Sequence, residues 1–212
     1  MKRIYIIDVT NRDGVQTSKI GLAKLEKTMI NRYLGRMGVW QSEFGFPVTR
    51  HETNYLNANL DLMSIGEMKK MRLSGWIRAI EADVEKAFSL VPELKYLNMS
   101  ISTSNQMIKG KFRGKLGWGD ILGNTSRSLD RAYELGARAV GVNAEDASRT
   151  KMDKLLEFAE NAKEHGAKRI RYCDTLGFDD PFTIYKRVKA LGEKVGVDIE
   201  IHCHNDLGMG VA

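Results

Sequence analysis

The sequence predicts an α/β fold of the (β/α)8 TIM-barrel class, and three observations support this prediction. Short β-rich runs alternate with longer amphipathic helical patterns, which is typical of a parallel sheet with crossover helices. Polar or charged residues follow nearly every predicted strand, as they do at the mouth of a barrel. No Gly-x-Gly-x-x-Gly follows the first strand and the chain has no P-loop, which disfavours a doubly wound nucleotide-binding sheet.

Seven strands are predicted from runs rich in β-branched and aromatic residues, at 4–10, 39–44, 71–77, 96–102, 139–143, 169–173 and 199–204. Apolar residues recur at helical spacing between them, over 19–35, 54–63, 80–90, 121–135, 151–165 and 181–195. Gly136 and Gly166 can end two of these helices, Thr150 can cap the helix at 151–165, and Pro181 can begin the last one.

The length of 212 residues predicts one domain, a barrel over residues 1–212. A complete (β/α)8 barrel takes about 250 residues and eight strands. Because this chain has 212 residues and seven predicted strands, we expect a barrel that is truncated after the seventh strand and incomplete at its C-terminus. An open sheet edge would need a partner, so we expect a homo-oligomer or completion by a C-terminal segment or subunit.

Composition narrows the class of protein. The chain is 42% hydrophobic and 28% charged, as a globular protein is, and no apolar run reaches the roughly 18 to 20 residues of a membrane helix. The formal net charge is +6, but the only dense basic run, residues 109–115, contains one aromatic residue. We therefore expect no nucleic acid and no membrane partner. Two cysteines, Cys173 and Cys203, favour the cytoplasm and are predicted to pack against helices.

A His-x-His pair lies in the last predicted strand. His202 and His204 share one face of that strand because successive strand side chains alternate. The first strand ends in Arg12 and Asp13 before a glycine. One carboxylate and two imidazoles form the mixed oxygen and nitrogen set that binds divalent Mn, Fe, Co or Zn, and Mg can bind with fewer protein ligands. An Arg12–Asp13 pair that only fixes the loop is an alternative.

Two runs at opposite ends of the chain resemble one enzyme family. Residues 12–16 read Arg-Asp-Gly-Val-Gln, and residues 202–208 read His-Cys-His-Asn-Asp-Leu-Gly. Both runs resemble the DRE-TIM metallolyases, which include homocitrate, isopropylmalate and citramalate synthases and, more distantly, hydroxymethylglutaryl-CoA lyase. Further runs match in order at 42–47, 78–79, 102–104, 145–150 and 174–177.

The resemblance implies a role for each matching residue near the metal. Asp13, His202 and His204 would be the metal ligands, and Arg12 would polarise the keto group of the substrate.

Other matching residues would form the substrate pocket. Gln16, Arg78 and Thr175 would contact the 2-oxo acid, and Glu43 would shape the pocket near the metal. Glu145 would be a catalytic acid or base or a pocket residue, although an ion-pairing or helix-capping role suits it equally.

The family resemblance implies an acyl-CoA-dependent acyltransferase. The expected reaction is a Claisen-type condensation of acetyl-CoA with a 2-oxo acid, with 2-oxoglutarate and homocitrate as the favoured substrate and product. Alternatives are an isopropylmalate- or citramalate-type synthase, a metal-dependent aldol lyase, and a non-catalytic fragment or partner subunit.

The chain departs from the family pattern at residue 11. Asn11 stands where the family usually has Leu, and we expect its side chain to point away from Arg12. Two cations after Pro47 bear on the choice of substrate, with solvent-exposed loop residues as the alternative interpretation of that pair. Arg50 and His51 offer cations for the distal carboxylate of a dicarboxylic oxo acid, which favours the homocitrate synthase branch.

Overall fold

The computed structural model describes residues 3–212, and strands and helices alternate along it. The strands are β1 Ile7–Asp8, β2 Gln41–Gly45, β3 Arg72–Arg78, β4 Tyr96–Ser102, β5 Ala139–Glu145, β6 Arg169–Asp174 and β7 Asp198–Cys203. The helices are α1 Lys24–Met37, α2 Arg50–Ser64, α3 Glu81–Leu90, α4 Asn105–Lys111, α5 Trp118–Glu134, α6 Met152–Glu164 and α7 Pro181–Val195.

The seven strands form one sheet in the order β1-β2-β3-β4-β5-β6-β7. The pairs β1–β2, β2–β3, β5–β6 and β6–β7 are parallel. A doubly wound sheet reverses its strand order at a central switch point, whereas a (β/α)8 barrel adds each strand beside the one before it. The sequential order therefore confirms the predicted barrel class, with seven of its strands in this chain.

Two compact units divide the chain. Unit 1 contains the residues up to Ile77 together with Ala82–Asn98 and Leu135–Arg138. Its core includes Phe44, Leu56 and Leu73, which are almost completely buried. Burial of an aliphatic or aromatic side chain of this size stabilises a fold by about 1.5–3 kcal/mol.

Unit 2 contains Arg78–Glu81, Met99–Glu134 and Ala139–Ala212. Its core includes Leu129 on α5, Phe158 on α6 and Ile170 on β6, all fully buried. These residues lie on the apolar faces that α5 and α6 present to strands β5 and β6, which explains the helical spacing seen in the sequence.

Three features differ from the sequence-based expectation. The strand predicted at 4–10 is only Ile7–Asp8. Ile7 pairs with Gln41, the first residue of β2, so the residues before Ile7 have no partner on β2. The short helix α4, which contains the first residues of the basic run 109–115, was not among the predicted helices. Thr150 does not cap α6, whose N-cap is Lys151.

Other sequence signals are confirmed. Pro181 begins α7, and Gly136 and Gly166 have φ angles of 94° and 87° after the helices they end. A left-handed conformation at this position is one that glycine adopts without strain. Among residues 3–212, no helix is both long enough and apolar enough to cross a membrane.

Candidate metal centre

Arg12 and Asp13 lie in the loop after β1, and Glu43 lies in the buried strand β2. Arg12 Nε donates to Glu43 Oε2 at 2.9 Å, and Arg12 Nη1 donates to Asp13 Oδ1 at 2.7 Å. The Arg12 side chain is 11% exposed and the Glu43 side chain is fully buried. Unit 1 therefore brings three of the predicted site residues into one ion-pair cluster that is shielded from solvent.

Two further contacts orient this cluster. The Arg12 guanidinium carbon lies 5.2 Å from the centre of the Trp76 ring, within the range of a cation–π interaction. Asn98 Nδ2 donates to Glu43 Oε1. Sequence reasoning missed Asn98, and the signal that could have found it is a lone amide in the middle of the buried strand β4.

Buried side-chain amides form a hydrogen-bond network that connects the Arg12 loop to α1. Asn11 is fully buried, and its Nδ2 donates to Lys27 O and Asn31 Oδ1, both at 2.9 Å. Asn31 also donates to the Tyr55 hydroxyl and to Asn59 Oδ1, each at 2.9 Å. The Asn11 side chain thus points towards α1, which agrees with the prediction that it points away from Arg12. Burial raises the pKa of Tyr55, which stays a neutral donor and acceptor.

His202 and His204 lie at the end of β7, with His204 one residue beyond the last strand residue, Cys203. Their Nε2 atoms are 3.2 Å apart, and their rings are 5.0 Å apart at an interplanar angle of 78°. Two nitrogens that each bind one ion at about 2.1 Å lie roughly 3.0–3.4 Å apart at ordinary coordination angles. The observed separation therefore fits chelation of one ion by both imidazoles.

The turn after β6 positions the backbone of His204. The amide of His204 donates to Asp174 O at 3.1 Å. Gly177 has a φ of 60°, and a Cβ atom at this position would lie 3.0 Å from His204 O and 3.2 Å from the amide nitrogen of Asp206. The Asp-Thr-Leu-Gly run thus needs its glycine because another backbone passes directly over it.

Glu145, the last residue of β5, bonds to two neighbours. Lys111 Nζ lies 2.7 Å from Glu145 Oε2 and 3.0 Å from Oε1. The Ser102 hydroxyl donates to Oε2 at 2.6 Å, and Lys111 also donates to Ser102 Oγ at 3.1 Å. Lys111 is a residue that sequence reasoning passed over, although its place in the basic run 109–115 could have marked it.

Thr175 lies beyond the end of β6 and contacts the loop after β5. The amide of Asp146 donates to Thr175 Oγ1 at 2.9 Å. Asp146 has a φ of 62° and is held by Arg149, whose Nη2 donates to its Oδ2 at 2.6 Å. Because Thr175 Oγ1 accepts this bond, its hydroxyl hydrogen can donate to a bound anion.

The remaining predicted positions are exposed. Gln16 lies in the 3-10 turn Gly14–Gln16, and Arg78 is the last residue of β3. Arg50 and His51 form the exposed first turn of α2. Gln16, Arg50 and His51 therefore follow the carboxyl ends of β1 and β2, and Arg78 is at the carboxyl end of β3.

The two cysteines, Cys173 and Cys203, lie on opposite faces of the sheet. Cys203 pairs in register with Asp174, and burial raises its pKa to about 11. Cys173 pairs in register with His202, and residues paired across parallel strands point to the same face of the sheet. The expectation that both cysteines pack against helices is therefore wrong for Cys173, which shares the face of His202.

A sequential parallel α/β sheet, with acidic and histidine side chains beyond its strand ends, defines a barrel-type domain suited to metal-dependent chemistry. This chain belongs to the HMGL-like family, whose model matches residues 3–212. The resemblance to the DRE-TIM metallolyases is thereby confirmed.

Three curated relatives with synthase names are similar in sequence to this chain. The chain is 61% identical over 211 residues to "Citrate (Re)-synthase" of Dehalococcoides mccartyi, covering 100% of this chain and 51% of that protein. It is 39% identical to "2-isopropylmalate synthase 2" of Caldanaerobacter subterraneus, with 100% and 53% covered. It is 34% identical to "Homocitrate synthase 1" of Nostoc, with 100% and 54% covered. The chain thus spans about half the length of the curated relatives it matches.

Solved structures support the fold. The hydroxymethylglutaryl-CoA lyase of Pseudomonas aeruginosa matches with a TM-score of 0.78 at 15% identity, covering 100% of this chain and 71% of that chain. The HMG-CoA lyase of Brucella melitensis matches with a TM-score of 0.76 at 17% identity, covering 98% and 74%.

Proposed function

We propose that Asp13, His202 and His204 hold one divalent metal ion in a condensing enzyme of this family. The observation that carries the proposal is geometric: the Nε2 atoms of His202 and His204 lie 3.2 Å apart, as two nitrogens bound to one ion would. All three side chains are partly buried. One carboxylate and two imidazoles suit Mn, Fe, Co or Zn, and they leave coordination positions for a substrate.

The bound ion would polarise the keto group of a chelating 2-oxo acid. Arg12 would act beside it as a fixed cation that stabilises the negative charge developing on the keto oxygen. Its guanidinium is clamped by Glu43 and Asp13 and packed on Trp76, so little reorganisation is needed during the reaction. Glu43 would thus shape the site by holding Arg12.

The proposed reaction is the condensation of acetyl-CoA with a 2-oxo acid. A base takes a proton from the acetyl methyl group, that carbon bonds to the keto carbon, and the keto oxygen gains a proton. Water then cleaves the thioester and releases CoA. Glu145 is a candidate base, because its Oε1 accepts one hydrogen bond, from Lys111, and keeps a lone pair that can accept a proton.

We propose a dicarboxylic 2-oxo acid as the substrate, with Gln16, Arg78 and Thr175 contacting it. The sequence favoured 2-oxoglutarate, whereas the relative at 61% identity is named for citrate synthesis and the homocitrate synthase is 34% identical. Citrate forms from acetyl-CoA and oxaloacetate, so we place oxaloacetate first and 2-oxoglutarate second. Isopropylmalate and citramalate synthesis would need a monocarboxylic acid instead.

We also propose that residues 1–212 form the metal-binding part of the catalytic domain, in the cytoplasm. The relatives are about twice as long as this chain. Further C-terminal sequence or a partner subunit, in a homo-oligomer, would then complete the catalyst.

Titration calorimetry tests the metal centre without requiring turnover. Mn²⁺ or Zn²⁺ should bind with one site per chain, and oxaloacetate should then bind only to the metal-loaded protein. His202→Ala should weaken metal binding by at least about 100-fold, since loss of one direct ligand costs several kcal/mol.

His165→Ala is the matched control, because His165 ends α6 and bonds to Asp130 at 2.9 Å. Its metal affinity should equal that of the parent. Equal binding by the His202→Ala variant and the parent would remove His202 from the site. Thiol release from acetyl-CoA with oxaloacetate, 2-oxoglutarate, pyruvate and 2-oxoisovalerate, measured on the chain joined to its C-terminal sequence, would then rank the substrates.

A further inference from the structure

Unit 1 has a cavity of about 640 Å³ that none of the candidate catalytic residues lines. Trp40 precedes β2, Arg72 begins β3, Tyr96 begins β4 and Arg138 precedes β5, and all four line the cavity. It therefore lies at the amino ends of the strands. Because no candidate catalytic residue lies at a strand's amino end or lines this cavity, the cavity is a separate feature.

Positive charge dominates its wall. Lys70, Arg72, Lys95 and Arg138 line the cavity with two carboxylates, Asp61 and Glu93, which leaves a net charge of +2. Within residues 3–212, the side chains of Lys70, Lys95 and Arg138 form no ion pair or hydrogen bond with another protein group. Like charges gathered without partners repel one another, so an anion that enters the cavity gains energy.

Arg72 is held as a rigid donor in this wall. Its guanidinium carbon lies 4.2 Å from the centre of the Trp40 ring and 5.4 Å from that of Tyr96. A planar guanidinium between two aromatic rings keeps its N–H groups directed along its edge, where they can bond to phosphate oxygens. Stacking thus fixes Arg72 before any ligand arrives, and this lowers the entropic cost of binding.

A structural role for these cations is the main alternative. The last turn of α2 contributes Leu60, Met63 and Ser64 to the cavity, and cations near a helix C-terminus interact favourably with its carbonyl groups. Among the described residues, however, neither Lys70 nor Lys95 donates a hydrogen bond to those carbonyls. One helix end also does not account for four cations around one cavity.

We propose that this cavity binds a small molecule that carries two or more adjacent phosphate groups. Linked phosphates bring several negative charges close together, which matches cations on three successive strand starts better than a single carboxylate does. The volume exceeds that of pyrophosphate and leaves room for an attached organic group. The inference does not depend on the proposed condensation reaction.

The test uses inorganic pyrophosphate and ADP as probes in metal-free buffer at low ionic strength, with calorimetry and tryptophan fluorescence as readouts. Both probes should bind, and their affinity should fall as salt is added. Lys95→Met/Arg138→Met should lower the affinity for pyrophosphate by about 100-fold, since each of the two lost charged contacts is worth about 1.4 kcal/mol or more. Arg72→Lys should also weaken binding, because it keeps the charge but loses the planar fork.

Two controls separate this site from other cationic surfaces. Lys24→Met/Lys86→Met removes the same charge from exposed positions of unit 1 outside the cavity and should bind pyrophosphate like the parent. His202→Ala should also bind it normally, so failure of the metal centre and failure of this site are distinguishable. Tighter binding of ADP than pyrophosphate would indicate a nucleotide, and equal binding would indicate the phosphates alone.

Four outcomes would overturn the proposal. The first is no binding of either probe at millimolar concentration. The second is equal weakening in the control and cavity variants, which would mean non-specific attraction. The third is binding of a poly-glutamate peptide but not of pyrophosphate, which would make this face a docking surface for an acidic protein. The fourth is lower stability of Lys95→Met/Arg138→Met with unchanged pyrophosphate affinity, which would support the helix-end role instead.

Discussion

Strands β2 and β7 both carry candidate site residues, yet their surroundings differ. All five residues of β2 are buried, whereas none of the six residues of β7 is. β2 has a strand on each side, and β7 is the last strand of the sheet within this chain. Glu43 on β2 is positioned by side-chain bonds from Arg12 and Asn98. His204 after β7 is positioned by backbone contacts with Asp174 and Gly177.

This difference shows two ways of fixing a functional side chain. In unit 1, a buried polar network holds Arg12 and Asp13, and such a network is sensitive to loss of any partner. In unit 2, the position of His204 depends on close backbone packing against Gly177, so an added methyl group at residue 177 can displace it. The variants below test each mechanism separately.

Glu43→Gln should produce the largest effect. The Arg12 guanidinium would lose its buried anionic partner, and breaking a buried ion pair from one side costs about 3–5 kcal/mol. We expect a fall of this size in the free energy of unfolding, measured with urea. Glu81→Gln is the matched control, because its pair with Arg127 is about half exposed on both sides. It should cost no more than about 1 kcal/mol, and similar losses in both variants would contradict the network account.

Asn31→Leu should have the next largest effect. Asn31 Oδ1 accepts from Asn11 and from Ser42 Oγ, and its Nδ2 donates to Tyr55 and Asn59. Leucine would leave several buried polar groups without partners, each of which costs about 1–3 kcal/mol. Because some can find new partners, we expect a loss of about 2–4 kcal/mol in urea unfolding.

Asn11→Leu is the matched control in the same network. It removes two hydrogen bonds, but it also removes Asn11 Oδ1, a buried acceptor with no hydrogen-bond partner within residues 3–212. The two effects offset, so we expect a change below about 1 kcal/mol. A loss of unfolding free energy as large as that of Asn31→Leu would mean that Asn31 is no more important to the network than Asn11.

Gly177→Ala should affect unit 2 through the backbone. The added Cβ would meet His204 O at 3.0 Å, and φ is 60°. We expect about 1–3 kcal/mol of destabilisation together with at least tenfold weaker Zn²⁺ binding, because His204 must shift. The matched control is Gly196→Ala, where φ is 67° and the nearest atom, the end of the Lys163 side chain, is 3.8 Å away. It should lose stability without losing metal affinity, and equal metal affinities in both variants would contradict positioning of His204 by Gly177.

The sequence allowed the fold class and the order of strands and helices to be predicted, because their alternation is a local pattern. Residues 96–102 form a strand as predicted, since apolar residues at 97, 99 and 101 alternate with polar ones. β1 was overestimated because its length is set by where β2 begins, which no local pattern contains. Cys173 was assigned to the wrong face for a similar reason, since facing depends on register with β7.

Candidate site residues divide in the same way. Asp13, His202 and His204 stand in recognisable motifs, and the sequence alone singled them out. Asn98 and Lys111 bond to predicted site residues across the fold. Such partners are chosen by tertiary distance, so composition and spacing do not reveal them.

The smallest predicted effect is a difference in pH dependence between two adjacent carboxylates at the start of α7. Burial raises the pKa of Asp179, which accepts from the Tyr172 hydroxyl. Hydrogen bonds from Thr183 and Phe182 lower the pKa of Asp180, the N-cap of α7. In the folded protein Asp179 binds its proton more tightly than in the unfolded chain, so its contribution to stability falls as pH rises above the ordinary aspartate value. The contribution of Asp180 has the opposite sign and is lost as pH falls below that value.

Asp179→Asn keeps an acceptor for Tyr172 and removes the buried charge. It should therefore gain stability relative to the parent at pH 7, and this gain should shrink towards pH 4. Asp180→Asn should lose stability at pH 7, and its difference from the parent should narrow towards pH 3. Urea midpoints of the three proteins at these pH values measure both trends. Parallel pH profiles for the two variants would show that the pKa values of Asp179 and Asp180 do not differ in the folded protein. Side-chain electrostatics would then position residues in unit 1 but not in this turn of unit 2.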